Sequence, residues 1–133
     1  MPRRSFPILA LDPGLRELGF AVLVGKRLVA RDVVALRALP KALRLAEARS
    51  RIAFLVETHR PRAIVVEKTY RHPVPWLNQL HRLTRSARNL ATRQRAAFAM
   101  YSPQAVRATV AGNGKAKKPE VAVAVAHRFP SLR

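Results

Sequence analysis

Two short apolar runs, Ile8-Leu9-Ala10-Leu11 and Ala63-Ile64-Val65-Val66, leave this chain few architectures to adopt, and each ends in a carboxylate, Asp12 and Glu67. Four consecutive apolar residues without polar alternation form the pattern of a strand buried on both faces. A sheet built from such strands needs cover on both sides, which points to helices packed on it. A charged group closing such a run is costly unless something pairs with it. The partner of Asp12 and Glu67 is therefore the functional question.

The other segments fit that sheet. Pro13-Gly14 after Asp12 is a turn signal, and the strand-like stretches Gly19 to Val24 and Leu28 to Ala35 flank Gly25-Lys26, a pair suited to a tight hairpin. Three antiparallel strands are the simplest reading of this first part. From Lys41 to His59 the apolar positions Leu45, Ile52, Leu55 and Val56 recur at helical spacing, with Pro40 expected as the first helical residue and a break at Arg60-Pro61. A second long helix is expected to carry Trp76, Leu80, Leu83, Ala87, Leu90 and Gln94 on one face, packing either the core or a second copy, with Arg82, Arg85, Arg88, Arg93 and Arg95 mostly off it. Trp76 reads as its packing anchor. Ala97 to Tyr101 is a further strand, a brief helix is expected from Ser102-Pro103 to Val110, and Gly112-Asn113-Gly114 stops it. Pro119-Glu120 opens a last helix to about Arg128. The fold class is α/β, a mixed sheet of about five strands with helices on both faces, in one domain over residues 1–133.

Charge narrows the partner. The chain has 26 Lys and Arg against 7 Asp and Glu, a net +19, and such a field attracts a polyanion. Nucleic acid comes first and an anionic membrane second, since no apolar run approaches the roughly 20 residues of a membrane span. A soluble cytoplasmic protein is expected. Without cysteine there is no thiolate ligand, and His59, His72, His81 and His127 show no metal-ligand spacing, so a metal would have to be held by carboxylates.

If the strands ending in Asp12 and Glu67 are parallel neighbours, their C-terminal ends meet at the sheet edge where α/β folds place ligands. Two carboxylates there suit a hard cation such as Mg²⁺ or Mn²⁺, and paired ions about 3.5 to 4 Å apart hydrolyse phosphodiesters, a task needing more than two acids. The competing reading makes Asp12 a turn residue and Glu67 the partner of a nearby cation. Glu17, Asp32, Glu47, Glu57 and Glu120 fall where solvated charges are the default.

The segments LALDPGLRELGFAVL, AIVVEKTY and YSPQAVRATVAGNGKAKKPEV resemble, in order and spacing, the RuvC-type Holliday-junction resolvases, over about residues 6 to 128. The resemblance implies a ribonuclease-H-like fold and a homodimer that nicks four-way DNA junctions symmetrically in recombination and repair by metal-dependent hydrolysis, with a branch-migration motor as a further partner. It assigns Asp12 and Glu67 as metal-binding catalytic carboxylates and Lys118 as a catalytic cation. It makes Tyr70 the aromatic at the junction centre and Arg107, Gly112, Asn113, Gly114, Lys115, Lys117 and Lys118 the DNA contacts. Lys117 and Pro119 depart from the acidic or polar residues of many relatives, and Pro73 and Pro75 imply an altered loop. Relatives carry a further acidic helix that supplies the remaining ligands. The sequence ends at Arg133 with Glu120 its last acid, so a longer protein is expected. A basic nucleic-acid-binding protein without catalysis, and a related nuclease acting on structured RNA, are the alternatives.

Overall fold

The computed structural model describes residues 6–25, 27–67 and 75–101, with the backbone alone at 75–78. Its elements are β1 (Pro7–Asp12), β2 (Glu17–Val24), β3 (Arg27–Ala35), α1 (Lys41–His59), β4 (Ala63–Glu67), α2 (Pro75–Arg93) and β5 (Ala97–Tyr101). The five strands form one mixed sheet in the order β3-β2-β1-β4-β5. The β1–β2 and β2–β3 pairs are antiparallel, while β1–β4 and β4–β5 are parallel. The expected α/β architecture is therefore present. The two short helices expected beyond Tyr101 lie outside the described residues.

Local chemistry sets the turns. Pro13-Gly14 separates β1 from β2, and a Cβ at residue 14 would collide with the backbone oxygen of Glu17, so the chain can close this tightly only through glycine. At the β2–β3 turn Gly25 takes φ 63°, the left-handed conformation that hairpin turns demand. Pro40 stands one place earlier than expected, as the residue that caps α1 rather than the first inside it. Its ψ of 143° is extended, and its carbonyl accepts the first helical bond, from Leu43 N–H at 2.9 Å. A residue without an N–H suits either place, because the first helical donors have no partner within the helix. At the other end Arg60 turns left-handed, φ 49°, and donates its N–H to Val56 O at 2.9 Å before Pro61 stops the helix.

Both described helices pack on one face of the sheet. Leu9, Leu11, Leu18, Val22, Ile64 and Val66 meet Leu45, Ala48, Ile52, Leu55 and Val56 of α1 and Leu83, Ala87 and Ala91 of α2 in one cluster. The described part of the apolar stripe of α2, from Leu80 to Ala91, thus packs the core. Arg82, Arg85, Arg88, Arg93 and Arg95 are exposed, as the pattern predicts. The helices are tied together by Arg49, whose Nε donates to Ser86 Oγ at 2.8 Å. The alternate strand residues Ile8, Ala10, Ala21, Leu23, Ala63 and Val65 face the other way and are just as buried, at 0 to 2% exposure. The sheet is covered on both faces, as continuous apolar strands require. Among the described residues no helix is long and apolar enough to cross a membrane.

Candidate active site

Parallel pairing of β1 and β4 runs up to Leu11 opposite Val66, so the next residues, Asp12 and Glu67, end neighbouring strands at the same edge. Side chains alternate along a strand, so Asp12 shares the face of Ala10, and Glu67 that of Val65. Neighbouring strands lie about 4.8 Å apart, so the two residues stand side by side on one face of the sheet. Both are half-buried. Across the β1–β2 ladder Asp12 faces Gly19, so no side chain crowds it from that strand.

The row continues to β5, where Tyr101 stands opposite Glu67. Tyr101 is 6% exposed, the one fully buried residue of an otherwise open edge strand. Burial, then the negative charges of Glu67 and Asp12, push its hydroxyl far above the ordinary tyrosine range, so it stays a neutral phenol. The sequence alone did not single out Tyr101 as a neighbour of the pair. The signal was the one that marks Asp12 and Glu67: a polar group closing an apolar strand.

Most other described acids are engaged elsewhere. Glu17 forms an ion pair with Arg37, and Glu47 pairs with Arg51 at 2.9 Å, one helical turn away. Both pairs are exposed and contribute a few tenths of a kcal/mol each, roughly. Asp32 accepts the Val33 N–H at 2.7 Å. These carboxylates are more organised than freely solvated charges.

Among the described residues no group of three or more His, Asp or Glu side chains could hold a metal ion. The pair at the sheet edge nevertheless fits a hard cation in donor type, since Mg²⁺ is commonly bound through one or two carboxylates and keeps water or substrate oxygens at its other positions. Tyr70, Arg107, Gly112, Asn113, Gly114, Lys115, Lys117 and Lys118 lie outside the described residues, as does the Trp76 side chain. The described cations lie mainly along α1, α2 and the segments that flank them. Two of these arginines stack on rings, Arg62 over Phe6 at 4.6 Å and Arg88 over Phe98 at 5.1 Å.

Comparison with known proteins gives a consistent result. The sequence profile of the family described as crossover junction endodeoxyribonuclease RuvC matches residues 8–129. The RuvC of Nocardioides sp. (strain ATCC BAA-499 / JS614) is 31% identical over 125 residues, covering 89% of this chain and 71% of that protein. The RuvC of Azorhizobium caulinodans is 31% identical, with coverage of 92% and 76%. For Clavibacter michiganensis subsp. michiganensis the figures are 34%, 90% and 62%. The chain thus spans 62 to 76% of the length of these three relatives. Among solved structures, Thermus thermophilus RuvC superposes with a TM-score of 0.65 at 25% identity, over 91% of this chain and 78% of that one. T. thermophilus RuvC in complex with Holliday junction substrate shares the fold with a TM-score of 0.74 at 18% identity, over 95% and 94%.

Proposed function

The chain belongs to the RuvC family of crossover junction endodeoxyribonucleases, and on that premise we propose that it cuts four-way DNA junctions by divalent-metal-dependent hydrolysis of phosphodiesters. The observation that carries this reading is the placement of Asp12 and Glu67 on neighbouring parallel strands at one sheet edge. In this reading the two carboxylates hold Mg²⁺ or Mn²⁺. When bound, the ion supplies Lewis acidity toward a phosphodiester oxygen.

The work of the chain itself is to fix that ion and to overcome a repulsion. Two carboxylates repel a phosphodiester, and the net charge of +19 reverses the sign of the field that the substrate meets. Lys118 is proposed to offset charge developing on the scissile phosphate. Arg107, Gly112, Asn113, Gly114, Lys115 and Lys117 are proposed to bind the backbone on either side, and Tyr70 to stack on bases at the junction centre. A four-way junction presents two equivalent strands, so a two-fold homodimer is the assembly that would nick it symmetrically. The proposed setting is the cytoplasm, in recombination and repair, in company with a branch-migration motor.

The second reading, binding without cutting, draws on the two-carboxylate count among the described residues. Competition among a four-way junction, duplex DNA and structured RNA, with Mn²⁺ present, separates the readings. The expected result is nicking of the junction and binding about tenfold tighter to it than to duplex, because junction choice is readout of shape beyond charge. With about six phosphate contacts, affinity for every substrate falls on the order of 10³-fold between about 50 and 200 mM salt. Tight binding with no nick would establish the second reading, and preferential cutting of RNA would move the substrate class.

A further inference from the structure

The corner where β1 turns into β2 is tied down at several points, and the function proposed above gives it no role. Gly14 closes the turn against the backbone of Glu17, and Arg16 O accepts the Leu36 N–H at 2.8 Å, which joins this turn to the segment between β3 and α1. Leu36 is 1% exposed and anchors that segment in the core cluster. Arg44 of α1 braces the same segment, its Nε donating to Leu39 O and its Nη2 to Arg37 O, both at 3.0 Å. Glu17 pairs with Arg37 between the two segments.

The side chain that this corner leaves exposed beside the site is Arg16. The adjacent acid, Glu17, is committed to Arg37, and among the described residues Arg16 has no carboxylate partner. Register fixes where it stands. Asp12 pairs with Gly19 on β2, so Arg16 lies three residues beyond that pair at the carboxylate end of the sheet, about 10 Å along the strand direction.

We propose that Arg16 is a phosphate-binding residue of the carboxylate edge: its guanidinium takes a backbone phosphate that flanks the one brought to Asp12 and Glu67. The inference rests on the reading that this edge receives a phosphodiester. The offset along the strand suits a neighbouring phosphate of the same nucleic-acid strand. A guanidinium can engage two phosphate oxygens at once, and contacts of this kind set the register of the substrate without reading its sequence. The cation also opposes the repulsion that two carboxylates present to the backbone at this edge. The main chain that carries Arg16 is already held, so binding has only the side chain to order.

The test is fluorescence anisotropy of a labelled four-way junction with the full chain in EDTA, over a series of salt concentrations, for wild type, Arg16→Ala, Arg16→Lys and Arg31→Ala. Arg31 is an exposed arginine in the middle of β3, and its removal costs the same charge. Arg16→Ala is expected to weaken binding about tenfold at about 100 mM salt and to reduce the slope of log affinity against log salt by about one. Arg16→Lys keeps the slope. Arg31→Ala stays within about twofold of wild type with its slope unchanged, because a charge that touches no phosphate is largely screened. In single-turnover cleavage with Mn²⁺, Arg16→Ala needs about tenfold more protein for half-maximal rate and comes close to the wild-type rate at saturation. Its melting temperature stays within about 2 °C of wild type. A wild-type salt slope in Arg16→Ala, or a loss of affinity no larger than that of Arg31→Ala, overturns the proposal. A wild-type chain that binds the junction and never nicks it removes the function proposed above, and the salt slope then decides on Arg16 by itself.

Discussion

Asp12→Asn is expected to lose junction cleavage by roughly 10³-fold while still binding the junction, because the substitution removes a charge from the proposed ligand pair. Asparagine matches aspartate in shape but is a poor ligand for a hard cation. Glu67 on the neighbouring strand cannot replace it alone. Junction binding persists, since it draws on a field of +19 that changes by one unit. Single-turnover cleavage and fluorescence anisotropy with labelled junction read these two outcomes. Wild-type cleavage by Asp12→Asn would remove Asp12 from the site.

Ile64→Ala carries the largest expected effect on stability, a loss of about 3 to 4 kcal/mol. Ile64 is 0% exposed in β4, near the middle of the sheet, and packs in the cluster that joins both helices to it. Truncation removes three carbons from a site whose walls are strands hydrogen-bonded on both sides, so little collapse can refill the cavity. For a chain of this size the melting temperature falls by roughly 10 to 15 °C. Phe54→Ala on α1 is the control. Its ring is 65% exposed, and the change stays within about 0.5 kcal/mol. A small shift for Ile64→Ala would contradict the assignment of β4 as a central strand.

The strands and helix faces were legible in the sequence because each is a local pattern. Continuous apolar residues mark β1 and β4, and Leu45, Ile52, Leu55 and Val56 mark the buried face of α1. Ala48 escaped notice, since alanine contributes little to an apolar pattern, yet it is wholly buried in the cluster between α1 and the sheet. What was not legible is pairing. Whether β1 and β4 are neighbours depends on the crossover, and only their register brings Asp12 and Glu67 together. Glu17 and Arg37 are likewise remote in sequence, and they meet because β3 returns beside β2 with Ala35 opposite Glu17.

The central claim is that the two strand-end carboxylates act as one unit on a phosphodiester. A double-mutant cycle of Asp12→Asn and Glu67→Gln tests it most directly, with single-turnover cleavage of a four-way junction in saturating Mn²⁺ as the readout. If the pair holds one catalytic ion, either single substitution removes most of the activity and the double variant is barely slower than the worse single. Losses that multiply, or a single variant that cuts as wild type does, would contradict the account.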